Sequence, residues 1–271
     1  MILKEIRKNK ATILPAVPWH FENWLKMEME IDLKKYFGSV KLCVSGGSAI
    51  TVETVSKFEK ASGSRLIQGY GLSEASPTTH INPILGRHKP NSVGLPLTDV
   101  NVKIIDLESQ QEVGPGIVGE HYIKGPQVSD QGYFNDPEAS KLVFENGWLK
   151  TGDIGCYDED GYYYPIDRVK DMICVGNSGY KVYPTQIEAV IKEHSLVEDV
   201  AIIGKTLPGG GEVPVMYVVP KPTGPEVNVV EELYNFCKGR LVHYKVPREI
   251  IIVEMIPKTA LGKPIRRLLR N

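Results

Sequence analysis

Between residues 40 and 74 the chain alternates two short apolar runs with one helical stretch, and each run empties into a glycine turn. Val40–Val44 reads as a short buried strand ending in Ser45-Gly46-Gly47-Ser48. A helix follows, capped near Thr51 and stopped by Gly63, and Arg65–Gln68 is a second strand entering the loop Gly69-Tyr70-Gly71-Leu72-Ser73-Glu74. Strand, loop, helix, strand, loop is the grammar of an α/β sheet with its ligand loops at the strand ends.

Residues 1–37 read as a helix or helix pair broken at Pro15 and Pro18, with Trp19, Phe21, Trp24 and Leu25 as an aromatic-apolar cluster suited to core packing or to a ligand pocket. The texture changes after Pro83. Asn101–Asp106, Gly119–Lys124, Ile154–Tyr157 and Tyr162–Ile166 alternate as strands, and Asp158-Glu159-Asp160-Gly161 is a hairpin turn between the last two. From Arg168 onward, helices over Pro184–His194 and Val229–Val242 interleave with strands over Val200–Ile203, Val213–Val219 and Glu249–Val253. The expected fold combines α/β and α+β pieces: a partial α/β subdomain over 1–90, a small antiparallel β-barrel or sheet over 91–167, and an α+β domain over 168–271.

The 32 basic and 33 acidic side chains leave a net charge of −1, so no broad basic field is present for nucleic acid or an anionic membrane. Arg266-Arg267 with Arg270 is a short basic cluster expected to be solvated. Cys43, Cys156, Cys174 and Cys237 are scattered without metal or CxxC spacing, which points to reduced thiols and a cytoplasmic setting. The first ten residues are charged and do not form a signal peptide, and no apolar run is long enough for a transmembrane segment.

Glycine turns after strands let backbone amides approach an anion, but a tight strand-to-helix turn accounts for Ser45–Ser48 equally well. Gln68–Glu74 says more. Two glycines flank an aromatic ring able to stack on a purine, and a hydroxyl and a carboxylate follow; Mg²⁺ takes such oxygen ligands and shares them with phosphates. Asp153 follows Thr151-Gly152, and Arg168 follows Asp167; a carboxylate can accept ribose hydroxyls and a guanidinium can donate to the same oxygens, although each alone also suits a surface ion pair. Lys263 sits in a loop bounded by Pro257, Gly262 and Pro264, where an ammonium on a long stem can meet charge developing on a phosphoryl group.

Taken in order, these segments resemble the adenylate-forming superfamily of acyl- and aryl-CoA synthetases, luciferases and peptide-synthetase adenylation domains. Gln68–Glu74 resembles its nucleotide loop, Thr151-Gly152-Asp153 its ribose motif, and Asp167–Ile173 its hinge. Val182-Tyr183-Pro184 with Ile187-Glu188 resembles the opening of the small domain, and Pro257–Lys263 the catalytic lysine loop. Ser92–Pro96, Gly119-Glu120, Lys124-Gly125-Pro126 and Gly132–Glu138 fit as well.

The resemblance implies roles. Gly46, Gly47 and Ser48 line the adenine and acyl sites, and Gln68, Gly69 and Gly71 carry Tyr70, which stacks on adenine. Ser73 contacts phosphate, Glu74 holds Mg²⁺, Asp153 and Arg168 hold the ribose, and Lys263 bridges the acyl carboxylate and α-phosphate. Lys170 is the hinge, and Ser178 and Gly179 meet CoA. The implied reaction activates a carboxylic acid with ATP as acyl-AMP and passes the acyl group to CoA, with a fatty acid as the expected acid.

Two features depart from that pattern. No Ser/Thr/Gly-rich tract ending Pro-Lys-Gly precedes Gln68, so the chain is expected to begin midway through the family's large domain. Its partners would then be the remainder of that domain or a second copy meeting an exposed apolar surface, and the isolated chain would be inactive. The loop Cys174–Tyr180 is longer than the pattern, which leaves the roles of Ser178 and Gly179 open. The alternatives are a non-catalytic remnant or split-enzyme subunit, and another branch of the superfamily such as an aryl-CoA ligase or adenylation domain.

Overall fold

A computed structural model describes residues 2–129, 131–176, 179–222, 227–259 and 262–270. The chain divides into two compact units, 1–165 and 166–271.

The first unit holds two sheets. The five-stranded sheet has the order β1 (Ile13–Ala16), β2 (Leu42–Ser45), β3 (Arg65–Gly71), β4 (Thr78–Ile81), β5 (Leu95–Pro96). β1, β2 and β3 run parallel and β4 and β5 return antiparallel. Helices α1 (Ile2–Lys8), α2 (Pro18–Lys26), α3 (Leu33–Phe37) and α4 (Val52–Ser62) supply its helical layer. The segment Ile13–Ala16 is a strand where a helix pair was expected. It is the sheet edge, where Pro15, which has no N–H to donate, is tolerated. Helix α4 starts and stops where its residues dictate: the Thr51 side chain accepts from the Thr54 amide, and Gly63 closes the helix at φ 74°.

Phe21, Trp24, Phe37 and Phe58 form the centre of this layer, with ring centroids 5.0–6.3 Å apart and mostly edge-to-face. Each such pair adds roughly 0.5–1.5 kcal/mol beyond its burial. The aromatic cluster is therefore core, except for Trp19, which is exposed.

The second sheet has β6 (Asn101–Ile105), β7 (Glu112–Val113), β8 (Gly119–Lys124), β9 (Phe144–Glu145), β10 (Trp148–Tyr157) and β11 (Tyr163–Arg168), in the order β11-β10-β8-β6-β7 with β9 on β10. The pairings of β8 with β10 and β6, of β9 with β10 and of β6 with β7 are antiparallel, as expected for this stretch. Helix α5 (Pro137–Val143) is capped by Asp136.

The second unit packs β12 (Ile173–Val175), β13 (Tyr180–Val182), β14 (Val197–Thr206), β15 (Glu212–Pro220) and β16 (Glu249–Ile252) with helices α6 (Pro184–Ile191) and α7 (Val229–Arg240). Alternate residues of β14 enter two cores. Val200 and Ile202 meet Ile187, Ile191, Leu233 and Cys237, whereas Ala201 and Ile203 meet Ile256 and Leu269. The C-terminal segment thus covers the sheet face that the helices leave.

Gly71 ends β3 for a steric reason. A Cβ there would lie 1.7 Å from the Pro77 carbonyl oxygen, inside the backbone of the returning chain. Gly71→Ala must push the β3–β4 connection apart. It is expected to cost more than about 3 kcal/mol, read as a lower urea midpoint of the first unit's transition in the full chain.

Candidate functional site

Strand β3 delivers Tyr70 and strand β10 delivers Asp153, although 83 residues separate them. The register of β10 on β8 passes from Lys150 opposite Tyr122 to Ile154 opposite Glu120, so Thr151, Gly152 and Asp153 stand opposite the single residue His121. Each residue of this bulge has a reason. The Thr151 hydroxyl donates to the His121 carbonyl at 2.6 Å and accepts from the Asp153 amide at 3.0 Å. Gly152 takes φ 67°, a left-handed conformation costly for other residues, and its amide donates to Glu120 Oε1 at 3.1 Å. Asp153 is only 7% exposed and accepts from the Tyr70 hydroxyl at 2.7 Å. A hydrogen bond onto a charged oxygen is worth about 1.5–3 kcal/mol, enough to fix both side chains.

Burial pushes the Tyr70 phenol well above its ordinary range, with Tyr163 and Asp153 adding to the rise, so Tyr70 stays a neutral donor. Its ring meets His80, His121 and Tyr163 at 5.5–5.7 Å. His80 and His121 lie 5.0 Å apart by ring centroid, and His121 stacks on Tyr163 at 4.0 Å. These three residues are buried, and His80 Nε2, both His121 nitrogens and the Tyr163 hydroxyl have no protein partner among the described residues. Burial lowers His80 to about 3, and burial followed by the neighbouring His80 holds His121 well below its ordinary value. This pair leaves no signal in the sequence, because a lone histidine in a short mixed strand forms no spacing pattern.

The other predicted residues of this unit gather at the same strand ends. Ser45 pairs in register with Gln68, and a Cβ on Gly46 would lie 3.7 Å from the Gly69 carbonyl oxygen. Gly47 and Ser48 continue that turn, with Gly47 at φ 84°. The buried Gln68 side chain donates to the Ile50 carbonyl at 3.4 Å, which ties the two loops together. Ser73 is exposed and opens the 3-10 turn Ser73–Ala75. Glu74 Oε1 accepts from the Tyr133 hydroxyl at 2.6 Å, and the Glu74 carbonyl accepts from the Ser129 amide at 2.8 Å. Burial, then the Glu74 carboxylate, push the Tyr133 phenol up to about 12. Tyr133 lies in the segment Gly132–Glu138 that carries the family resemblance, yet no role was assigned to it.

No cluster of three or more metal-binding side chains occurs among the described residues. A single carboxylate is nonetheless sufficient for Mg²⁺, which keeps its waters and shares substrate phosphates, so Glu74 fits that ion.

The remaining predicted residues belong to the second unit. Arg168 ends β11 and Lys170 lies in the 3-10 turn Val169–Asp171. Gly179 precedes β13 at φ 74°, while Ser178 lies outside the described residues. Thr259 organises the lysine loop: its amide donates to the Lys263 carbonyl at 2.8 Å, its carbonyl accepts from the Gly262 amide at 2.9 Å, and its hydroxyl accepts from the Lys263 amide at 3.2 Å. The arginine cluster is not uniformly solvated. Arg266 is largely shielded and pairs with Glu188 at 2.7 Å, while Arg267 is exposed.

An α/β unit whose strand-end loops meet a carboxylate-bearing bulge, followed by an α+β unit with a looped lysine, is the architecture of adenylate-forming ligases. The chain belongs to that family. A family model described as AMP-binding enzyme matches residues 1–134, and one described as AMP-binding enzyme C-terminal domain matches residues 186–263. A long-chain-fatty-acid–CoA ligase of Bacillus subtilis is 41% identical over 98% of the chain, and one of Salmonella typhimurium 37% identical over 100%; each match covers 46% of the relative. The chain therefore spans about half the length of the curated relatives it matches. Among solved structures, ATP-bound MatB from Rhodopseudomonas palustris matches with a TM-score of 0.87, 29% identity and coverage of 99% of this chain and 52% of its own. MenE from Bacillus subtilis in complex with the acyl-adenylate OSB-AMP matches with a TM-score of 0.84, 30% identity and coverage of 100% and 53%. No described helix is long and apolar enough to cross a membrane.

The buried histidines set a pH dependence. An imidazole held neutral when folded but titrating near 6.5 when unfolded stabilises the fold above about pH 6.5, and that contribution is lost as pH falls toward the folded value of about 3. Lowering the pH from 6.5 to 5 is expected to cost about 2 kcal/mol through His80. A His80→Leu/His121→Leu chain should show a flatter fall in urea midpoint between pH 7 and 5, and an unchanged fall would contradict the assignment.

Proposed function

We propose that this chain carries the nucleotide-handling and lysine-bearing portions of an acyl-CoA ligase. The reaction joins a carboxylic acid to ATP as acyl-AMP with release of pyrophosphate, and the CoA thiol then displaces AMP to give the thioester. A fatty acid is the proposed substrate, a reading supported by the names of the two bacterial relatives. The observation that carries the proposal is the hydrogen bond between Tyr70 and Asp153, which puts an aromatic ring and a buried carboxylate side by side.

In this reading Tyr70 stacks on adenine while its hydroxyl fixes the Asp153 carboxylate to receive ribose hydroxyls, with Arg168 donating to the same sugar. Gly46, Gly47 and Ser48 line the adenine and acyl sites, Gln68, Gly69 and Gly71 carry Tyr70, and Ser73 donates to phosphate. Mg²⁺, when bound through Glu74, supplies charge neutralisation on the phosphates, and Tyr133 orients that carboxylate. Lys263 contributes its positive charge where the acyl carboxylate meets the α-phosphate. Lys170 is the hinge, and Gly179 and Ser178 approach CoA. A segment rich in Ser, Thr and Gly that grips the outer phosphates is absent from this sequence, so the proposal includes a complementary chain segment that supplies it. The edge strand β1, with Ile13 62% exposed, favours such an association. A cytoplasmic setting suits the four free cysteines.

Calorimetric titration of the folded chain with ATP–Mg²⁺ should show binding, and Asp153→Asn should weaken it about ten- to a hundredfold, the value of a hydrogen bond to a charged group. A folded chain that takes up no ATP would favour a non-catalytic interaction module. In a complemented enzyme, Lys263→Ala should reduce adenylate formation by about two to three orders of magnitude and spare thioester formation from supplied acyl-AMP. Equal loss of both steps would contradict the assigned role.

A further inference from the structure

The segment Pro257–Arg270 is held at both ends. Ile256 and Leu269 are buried against Ala201, Ile203 and Val215, and between them the Ile265 amide donates to the Pro257 carbonyl at 2.7 Å, closing the lysine loop at its base. Arg266 follows directly and reaches two carboxylates and a backbone carbonyl. Its Nη2 donates to Glu188 Oε1 at 2.7 Å, its Nε donates to the Ile202 carbonyl at 3.1 Å, and its Nη1 lies 3.6 Å from Asp171 Oδ2. The side chains of Arg266, Glu188 and Asp171 are only 10%, 8% and 15% exposed, so this group is shielded from water and tied to one geometry. The same Glu188 oxygen accepts from the Ile202 amide at 2.8 Å, which anchors it to β14.

Asp171 ends the 3-10 turn that contains Lys170. Arg270 adds a second link, with Nη2 at 3.4 Å from the Lys170 carbonyl oxygen and 3.8 Å from Asp171 Oδ1. On the other side of the turn, Asp167 Oδ2 accepts from the Thr185 amide and hydroxyl, both at 3.0 Å, and so ties the start of α6, the helix that bears Glu188.

We propose that Arg266 is a positioning residue that fastens the Lys263 loop to the hinge turn through Asp171, so that loop and hinge keep one fixed geometry. This deepens the reading of Lys263 as the catalytic lysine and Lys170 as the hinge, and rests on it for its functional meaning. A guanidinium serves this purpose better than an ammonium because its planar fork meets Glu188, Asp171 and the Ile202 carbonyl at once. A lysine three residues from such an anchor presents its ammonium from a base that does not drift when the hinge turns.

The test is residue-resolved amide hydrogen exchange on the full chain without ligand. The amides of Thr259, Gly262, Lys263 and Ile265 report the loop through the hydrogen bonds described, and those of Val215–Val218 report the β14–β15 ladder. Arg266→Lys and Asp171→Asn are each expected to speed exchange at the loop amides about tenfold and leave the ladder amides unchanged, while Arg267→Ala changes neither. If Arg266→Lys fails to fold, Asp171→Asn, which keeps the Arg266–Glu188 pair, carries the test. Unchanged loop exchange in Asp171→Asn, or an equal rise in loop and ladder, overturns the proposal. Because no substrate enters the measurement, this failure is distinguishable from failure of the ligase reading, which calorimetry with ATP decides.

Discussion

The hydrogen bond from Tyr70 to Asp153 joins the two sheets of the first unit at the place where chemistry is expected. Neither residue could hold its position alone. Asp153 is a nearly buried carboxylate and needs donors, while Tyr70 is a nearly buried phenol and needs an acceptor. The bulge that aims Asp153 is in turn held by Thr151 on the His121 carbonyl and by Gly152 on Glu120. The Thr-Gly-Asp order is thus a structural device: threonine ties the strand, glycine lets it turn, and aspartate faces inward.

Most of the secondary structure was legible in the sequence because local chemistry set the boundaries. Thr51 and Gly63 bracket α4, Gly119–Lys124 forms β8 as its alternation requires, and Pro184 opens α6. What was not legible depends on tertiary neighbours. Ile13–Ala16 is a strand only because β2 lies beside it, and Pro15 argued against that locally. The two apolar cores of the second unit follow from strand alternation, but the shielding of Arg266 follows from Glu188 and Asp171, which lie 78 and 95 residues earlier in the chain, and no charge run reveals that.

The candidate site was legible as motifs and not as geometry. The glycines of Gln68–Glu74 suggested close approach of an anion, yet Gly71 is required because the backbone at Pro77 occupies the space of a side chain. Tyr133 sits in a segment that carries the family resemblance, and only the fold shows that its hydroxyl reaches Glu74. His80 and His121 gave no signal, and their polar nitrogens beneath Tyr70 make this site more acid-sensitive than an apolar wall would be.

Whether the strand-end loops around Tyr70 and Asp153 receive the nucleotide is decided by photolabelling the chain with an 8-azido analogue of ATP and mapping the modified peptide. Label is expected in the segment containing Gln68–Glu74, displaced by excess ATP and lost in Tyr70→Ala. Label that concentrates elsewhere, or that excess ATP fails to displace, would contradict it.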